Sequence, residues 1–153
     1  MKKRMIGLLL VIAAAIGVAM GTSGAATSDV IPLKVTLNNQ QCTQNANGSL
    51  TCTGSLTGLG GQSISVTVTS GFACVNRGGN QPPGQVSGTE NNIPVRNGNA
   101  TFNVTTSAAS CPDQMQPIFT GTEQCGAGNA QVDVTQFFSG GRTKTTTFCV
   151  PIT

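Results

Sequence analysis

The 153-residue chain contains no histidine. That removes the usual general base, the usual orienter of a Ser or Cys nucleophile and the usual zinc ligand. Its six cysteines, Cys42, Cys52, Cys74, Cys111, Cys125 and Cys149, form no C-x-x-C motif. The carboxylates Asp29, Glu90, Asp113, Glu123 and Asp133 include no close pair, and each sits in a polar or turn-like context. They read as solvated surface charges rather than as the acid–base pair that glycoside chemistry requires. Asp113, Glu123 and Asp133 recur ten residues apart, but no Asp-rich loop with calcium-ligand spacing surrounds them, so no metal site is expected. The expectation is a non-enzyme, with no catalytic residue and no cofactor.

The best interaction candidate is the loop Asn76, Arg77, Gly78, Gly79, Asn80, Gln81, Pro82, Pro83, running on through Gly84 to Gln85. Arg77 stands beside two glycines that allow close backbone approach to a partner. Pro82-Pro83 stiffens the segment in extended form and lowers the ordering cost of binding. A connection crossing between two sheets has the same composition, since Gly, Pro and Asn are ordinary turn chemistry. Thr143, Thr145 and Thr147 offer a flat hydroxyl face, equally explained as a solvent-facing strand.

Charge has to be counted after the leader. Lys2, Lys3 and Arg4 precede an uncharged apolar run from Met5 to Met20, and the small residues Gly21 to Ala26 follow. This is the layout of a secretion signal cleaved after Ala25 or Ala26. Residues 1–26 are read as that signal and 27–153 as one domain. Without the three leader cations, Lys34, Arg77, Arg96, Arg142 and Lys144 balance the five carboxylates. There is no basic patch, no Trp and no Tyr, so nucleic-acid binding is excluded. No membrane association is expected once the leader is removed. The expected location is extracellular or cell-wall associated, with the partner left open between an extracellular protein and a cell-wall component.

The elements that must position the cysteines are strands. An even cysteine count in an exported chain reads as three disulfides. Val30 to Leu37 alternates, with Ile31, Leu33, Val35 and Leu37 on one face and Pro32 marking an edge. Asn47-Gly48 midway between Cys42 and Cys52 predicts a hairpin that sets those two opposite each other. Ile64, Val66 and Val68 form the clearest strand, and Phe72 and Cys74 keep its parity. Gly88 to Asn92 reads as a turn. Ile93 to Thr106 reads as a hairpin about a type I′ turn at Asn97-Gly98, with Phe102 and Val104 inward. Pro117 to Thr122 is a short strand. Ala130, Val132 and Val134 run inward to Phe137 and Phe138, and a two-residue turn at Gly140-Gly141 leads into Thr143 to Val150.

No ten-residue amphipathic helix is present. The fold class is all-β, an antiparallel immunoglobulin-like sandwich of about seven to eight strands. Cys74 and Cys111 end the two best core strands, so Cys74–Cys111 would tie the sandwich across its middle. Cys125–Cys149 follows by elimination, although a two-residue turn sets Cys149 opposite Val132.

The pattern C-x-N-x-G-G-N-x-P-P-G-Q, here Cys74 to Gln85, resembles one in small secreted actinobacterial proteins. There, as here, a segment like Asn97-Gly-Asn-Ala-Thr-Phe-Asn-Val-Thr-Thr106 and then Ser110-Cys111-Pro112 follow. The resemblance spans Ile64 to Pro112. It implies the same Cys74–Cys111 bridge and an immunoglobulin-like sandwich, and it implies no activity. By spacing alone, the Cys42/Cys52 hairpin resembles the two-disulfide sandwiches of the neocarzinostatin apoprotein group. The sequons at Asn47, Asn99 and Asn103 read as chance triplets in an Asn- and Thr-rich chain. The functional expectation is a secreted structural or interaction module. Its alternatives are a small-ligand or glycan binder using loop 76–85 and an inhibitor of an extracellular hydrolase.

Overall fold

The alternation around Ile64 grows into the spine of the molecule. In the computed structural model, which describes residues 34–75, 83–112 and 115–153, Ser63–Cys74 is one 12-residue strand. Every even-numbered residue of it is buried and every odd one is partly exposed. The strands in chain order are β1 (Thr36–Gln44), β2 (Leu50–Thr57), β3 (Ser63–Cys74), β4 (Gly84–Pro94), β5 (Ala100–Thr105), β6 (Pro117–Gly121), β7 (Asn129–Phe137) and β8 (Thr143–Pro151). They form two antiparallel sheets, β1-β2-β5 and β4-β3-β7-β8. β6 continues along β3 beyond the end of β7, pairing Phe72 with Phe119 and Cys74 with Pro117.

Between the sheets lies one core. β2 contributes Leu50, Cys52 and Leu56, β3 Ile64, Val66 and Val68, and β7 Ala130, Val132 and Val134, all at most 1% exposed. The outward faces are hydroxyl ladders. Thr67 meets Thr89 at 3.0 Å, Thr135 meets Thr145 at 2.9 Å and Thr51 meets Thr105 at 3.0 Å. Threonine suits both requirements of such a face, being β-branched for the pleat and polar toward water.

The three bridges are Cys42–Cys52, Cys74–Cys111 and Cys125–Cys149. Gly48 turns the β1–β2 hairpin in the left-handed region at φ 81, with its N–H on the Asn45 carbonyl. Counting back from the Asn45–Ser49 bond, Cys42 and Cys52 fall on a pair without main-chain bonds to each other. Side chains stand closest at such positions, and the two Cα atoms are 4.1 Å apart. Cys74 ends β3 on its inward face, bonded to Cys111 in the segment after β5.

Several expectations need correction. Gly88 to Asn92 is strand, part of β4, paired to β3 across a bulge at Asn91 and Asn92 where Asn92 is left-handed at φ 58. Gly88 reads like a turn residue, but its missing Cβ makes room for the Thr105 carbonyl. The Asn97-Gly98 turn forms as expected, at φ 51 and 76 with reciprocal Arg96–Asn99 bonds of 2.9 Å. Its arms, however, join different sheets, so it is a corner between β4 and β5 rather than a hairpin. The connection into β8 is also longer than two residues. Phe138 N–H bonds the Arg142 carbonyl, and Cys149 therefore lies opposite Gln131 instead of Val132. At the end of β7 the inward place goes to Gln136, while Phe137 is 39% exposed, because strand parity overrides hydrophobicity there. β1 begins at Thr36; of the expected Val30–Leu37 strand, Val35 is buried and Leu37 half-buried, and residues 30–33 lie outside the described residues.

Candidate functional site

Of the proposed interaction loop, Pro83 to Gln85 lie among the described residues. Asn76, Arg77, Gly78, Gly79, Asn80, Gln81 and Pro82 lie outside the described residues, and Pro83 is exposed beside the start of β4. So does the leader, and so does Asp113. Close by, Thr69, Gln85, Thr122, Glu123, Gln124 and Gln131 line a hollow of about 520 Å³. Two of its side chains, Thr122 and Gln131, belong to a chain of bonds that runs on to Asp133 and Thr147. Thr122 Oγ1 donates to Gln131 Oε1 at 2.8 Å, and Gln131 Nε2 donates to Asp133 Oδ2 at 2.8 Å. Thr147 Oγ1 donates to the other Asp133 oxygen at 2.5 Å. Among the described residues the carboxylates do not gather: Asp133 is the acceptor of this outward-facing network, and Glu123 is exposed in the β6–β7 loop.

A larger groove, about 680 Å³, lies at the β4–β5 corner. Ser55 and Thr57 of β2 and Thr101 of β5 form one side. Glu90 to Pro94 of β4 form the other, and the turn adds Arg96 and Asn99. Local chemistry explains why it is open. Farther along the same seam the two sheets are joined, Ser107 N–H bonding the Ser87 carbonyl at 3.0 Å. Next, Glu90 Oε2 accepts the Asn103 main-chain N–H at 2.9 Å, a side chain standing where a strand carbonyl would be. Beyond Glu90 no main-chain bond joins β4 to β5 among the described residues; β4 stays paired to β3 across the Asn91–Asn92 bulge, and Pro94 has no N–H to offer.

The bond between Thr106 N–H and the Leu50 carbonyl fixes the β2–β5 ladder, so even-numbered β5 residues face β2. The N–H and C=O of Thr101 therefore point into the groove. Sequence reading gave Glu90 and Arg96 no role beyond charge. The signal for the groove was the run Glu90-Asn91-Asn92-Ile93-Pro94, a strand carrying a bulge and a proline.

Compared with known proteins, the chain matches no family model, and no curated protein matches it significantly. Fold and groove together describe a disulfide-stapled two-sheet β protein with an open inter-sheet corner.

Proposed function

We propose that the protein is a secreted, non-catalytic interaction module of the immunoglobulin-like sandwich type, acting in the envelope or the medium. The observation that carries this reading is the preformed corner groove. Its two ionisable side chains are Glu90, committed to the Asn103 N–H, and Arg96, an arrangement suited to holding a ligand rather than transforming one. The strand order β1-β2-β5 against β4-β3-β7-β8 supports the immunoglobulin-like assignment, matching an A-B-E sheet facing a C′-C-F-G sheet. It departs from that type in its bridges, none of which joins β2 to β7. Three disulfides support an oxidising, extracellular setting. Among the described residues no helix is long and apolar enough to cross a membrane.

A second reading, a small-ligand or glycan binder at the loop end, is favoured by the amide- and hydroxyl-lined hollow beside Gln85. The test is capture from culture medium and cell-wall extract with the secreted protein. A partner that is held, and not altered, is the expected result. Turnover of any substrate that survives purification overturns the non-catalytic claim. Replacing residues 76–82 with a Gly-Ser link, which leaves β4 intact, separates the two sites, since only a loop-end partner is then lost.

A further inference from the structure

We propose that the β4–β5 corner groove binds an extended peptide segment of a partner protein, one carrying a carboxylate, by adding a short strand to the free edge of β5. This rests on the interaction-module reading and names the partner class.

Three observations converge on it. First, the seam between the sheets already asks for a strand: where β4 is close, its Ser87 carbonyl takes the Ser107 N–H. At Glu90 the carboxylate substitutes for a main-chain acceptor on Asn103. One step on, Thr101 presents both its N–H and its C=O with no main-chain partner among the described residues, which is the pairing pattern of an added strand. Second, β4 cannot supply that strand. Past Glu90 it stays paired to β3 across the Asn91–Asn92 bulge and Pro94 lacks a donor, so no main-chain bond closes the groove between the two walls among the described residues. Third, the charges are unequal in availability. Glu90 is engaged by Asn103, whereas Arg96 on the groove wall is exposed and makes no ion pair among the described residues. A guanidinium in that position selects a side-chain or terminal carboxylate on the incoming segment. The groove wall offers a neutral glycan no aromatic platform.

The test uses the secreted chain, labelled with ¹⁵N, and acetylated hexapeptides of alternating threonine and valine ending in aspartate, in lysine or in a carboxamide without an acid. The expected result is amide shifts confined to residues 90–101, strongest with the acidic peptide. Affinity should fall at least tenfold for the carboxamide peptide and for Arg96→Ala. Thr101→Pro, which removes the edge donor, should abolish binding. Should that variant misfold, Arg96→Ala and the peptide series still decide. No shift with any peptide at about 1 mM overturns the proposal, as do shifts that Arg96→Ala leaves unchanged. A partner captured from the medium that Arg96→Ala also captures keeps the module reading and removes this groove from it.

Discussion

At the scale of single residues, two glycines and one glutamine reveal how tightly the interior is fitted. Gly54 lies opposite Phe102 across β2 and β5, and a Cβ there would sit 2.8 Å from the Phe102 ring and from Leu37 Cδ1. Gly84 does the same for the ring of Phe72. Each phenylalanine occupies the space its cross-strand glycine leaves vacant. Gly54→Ala should therefore cost about 1–3 kcal/mol by overpacking, read as a lower urea midpoint with an unchanged slope. Phe102→Leu in the same chain should return part of that loss, giving a coupling that a purely local backbone effect would lack. Gln136 is the opposite case, a side chain where the core lacks a partner. Its Oε1 accepts the Gly60 N–H at 2.9 Å, but Nε2 is buried and unsatisfied among the described residues. Gly60 is exposed, so its N–H can turn to water. Gln136→Met should be neutral or stabilise by up to about 2 kcal/mol, since an orphaned buried donor costs about 1–3 kcal/mol; a clearly lower midpoint would show that the amide has a partner.

At the scale of elements, what could be read in advance followed locality. β3 was legible because β-branched residues alternate through Ile64, Val66 and Val68, and the Cys42–Cys52 hairpin because Asn47-Gly48 dictates a reversal at its centre. β4 was hidden. Its Gly84, Gly88, Asn91 and Asn92 are poor strand formers, present because the ring of Phe72, the Thr105 carbonyl and the bulge each need them. A type I′ turn specifies a local reversal, but not which sheets its arms join; long-range pairing of β4 with β3 decided that, and with it the corner groove. The disulfides differ in both span and access. In the chain-entropy account, closing the 37-residue separation of Cys74–Cys111 stabilises by about 4 kcal/mol and the 10-residue Cys42–Cys52 by about 3 kcal/mol. Replacing each pair by alanine should rank in that order in thermal unfolding. Access predicts a different order for chemistry. Cys149 is exposed and Cys125 half-buried, whereas Cys42, Cys52 and Cys74 are at most 4% exposed. Limited reduction followed by alkylation and peptide mapping should label Cys125 and Cys149 first; early label at Cys42 or Cys52 would contradict the packing.

At the scale of the whole molecule, the sandwich is held at two seams of different strength, and the contrast explains why only one is open. Along the β1–β8 seam, Gln44 N–H bonds the Thr153 carbonyl at 3.1 Å and Thr153 N–H bonds the Cys42 carbonyl at 2.9 Å. Ile152 N–H adds a bond to Gly128 at 2.9 Å while its side chain packs on the core. Away from the Asn97-Gly98 turn, the β4–β5 seam has one main-chain bond among the described residues, from Ser107 to Ser87, and then depends on the half-buried Glu90. Deleting residues 151–153 should therefore cost about 2–4 kcal/mol, taking about 1 kcal/mol for each hydrogen bond and the remainder for Ile152. Glu90→Ala should cost less, about 0.5–1.5 kcal/mol, because water can reach the exposed Asn103 N–H once the carboxylate is gone. The two changes should also differ in where they loosen the chain. Glu90→Ala should accelerate hydrogen exchange at Asn103 and leave Val104, which is bonded inward to β2, protected. The deletion should instead expose the amides of Cys42 and Gln44, whose main-chain groups face β8. Equal acceleration at Asn103 and Val104 would mean that Glu90 holds β5 itself rather than closing the seam, and the groove would then be a weakness of the strand instead of an opening between two sheets.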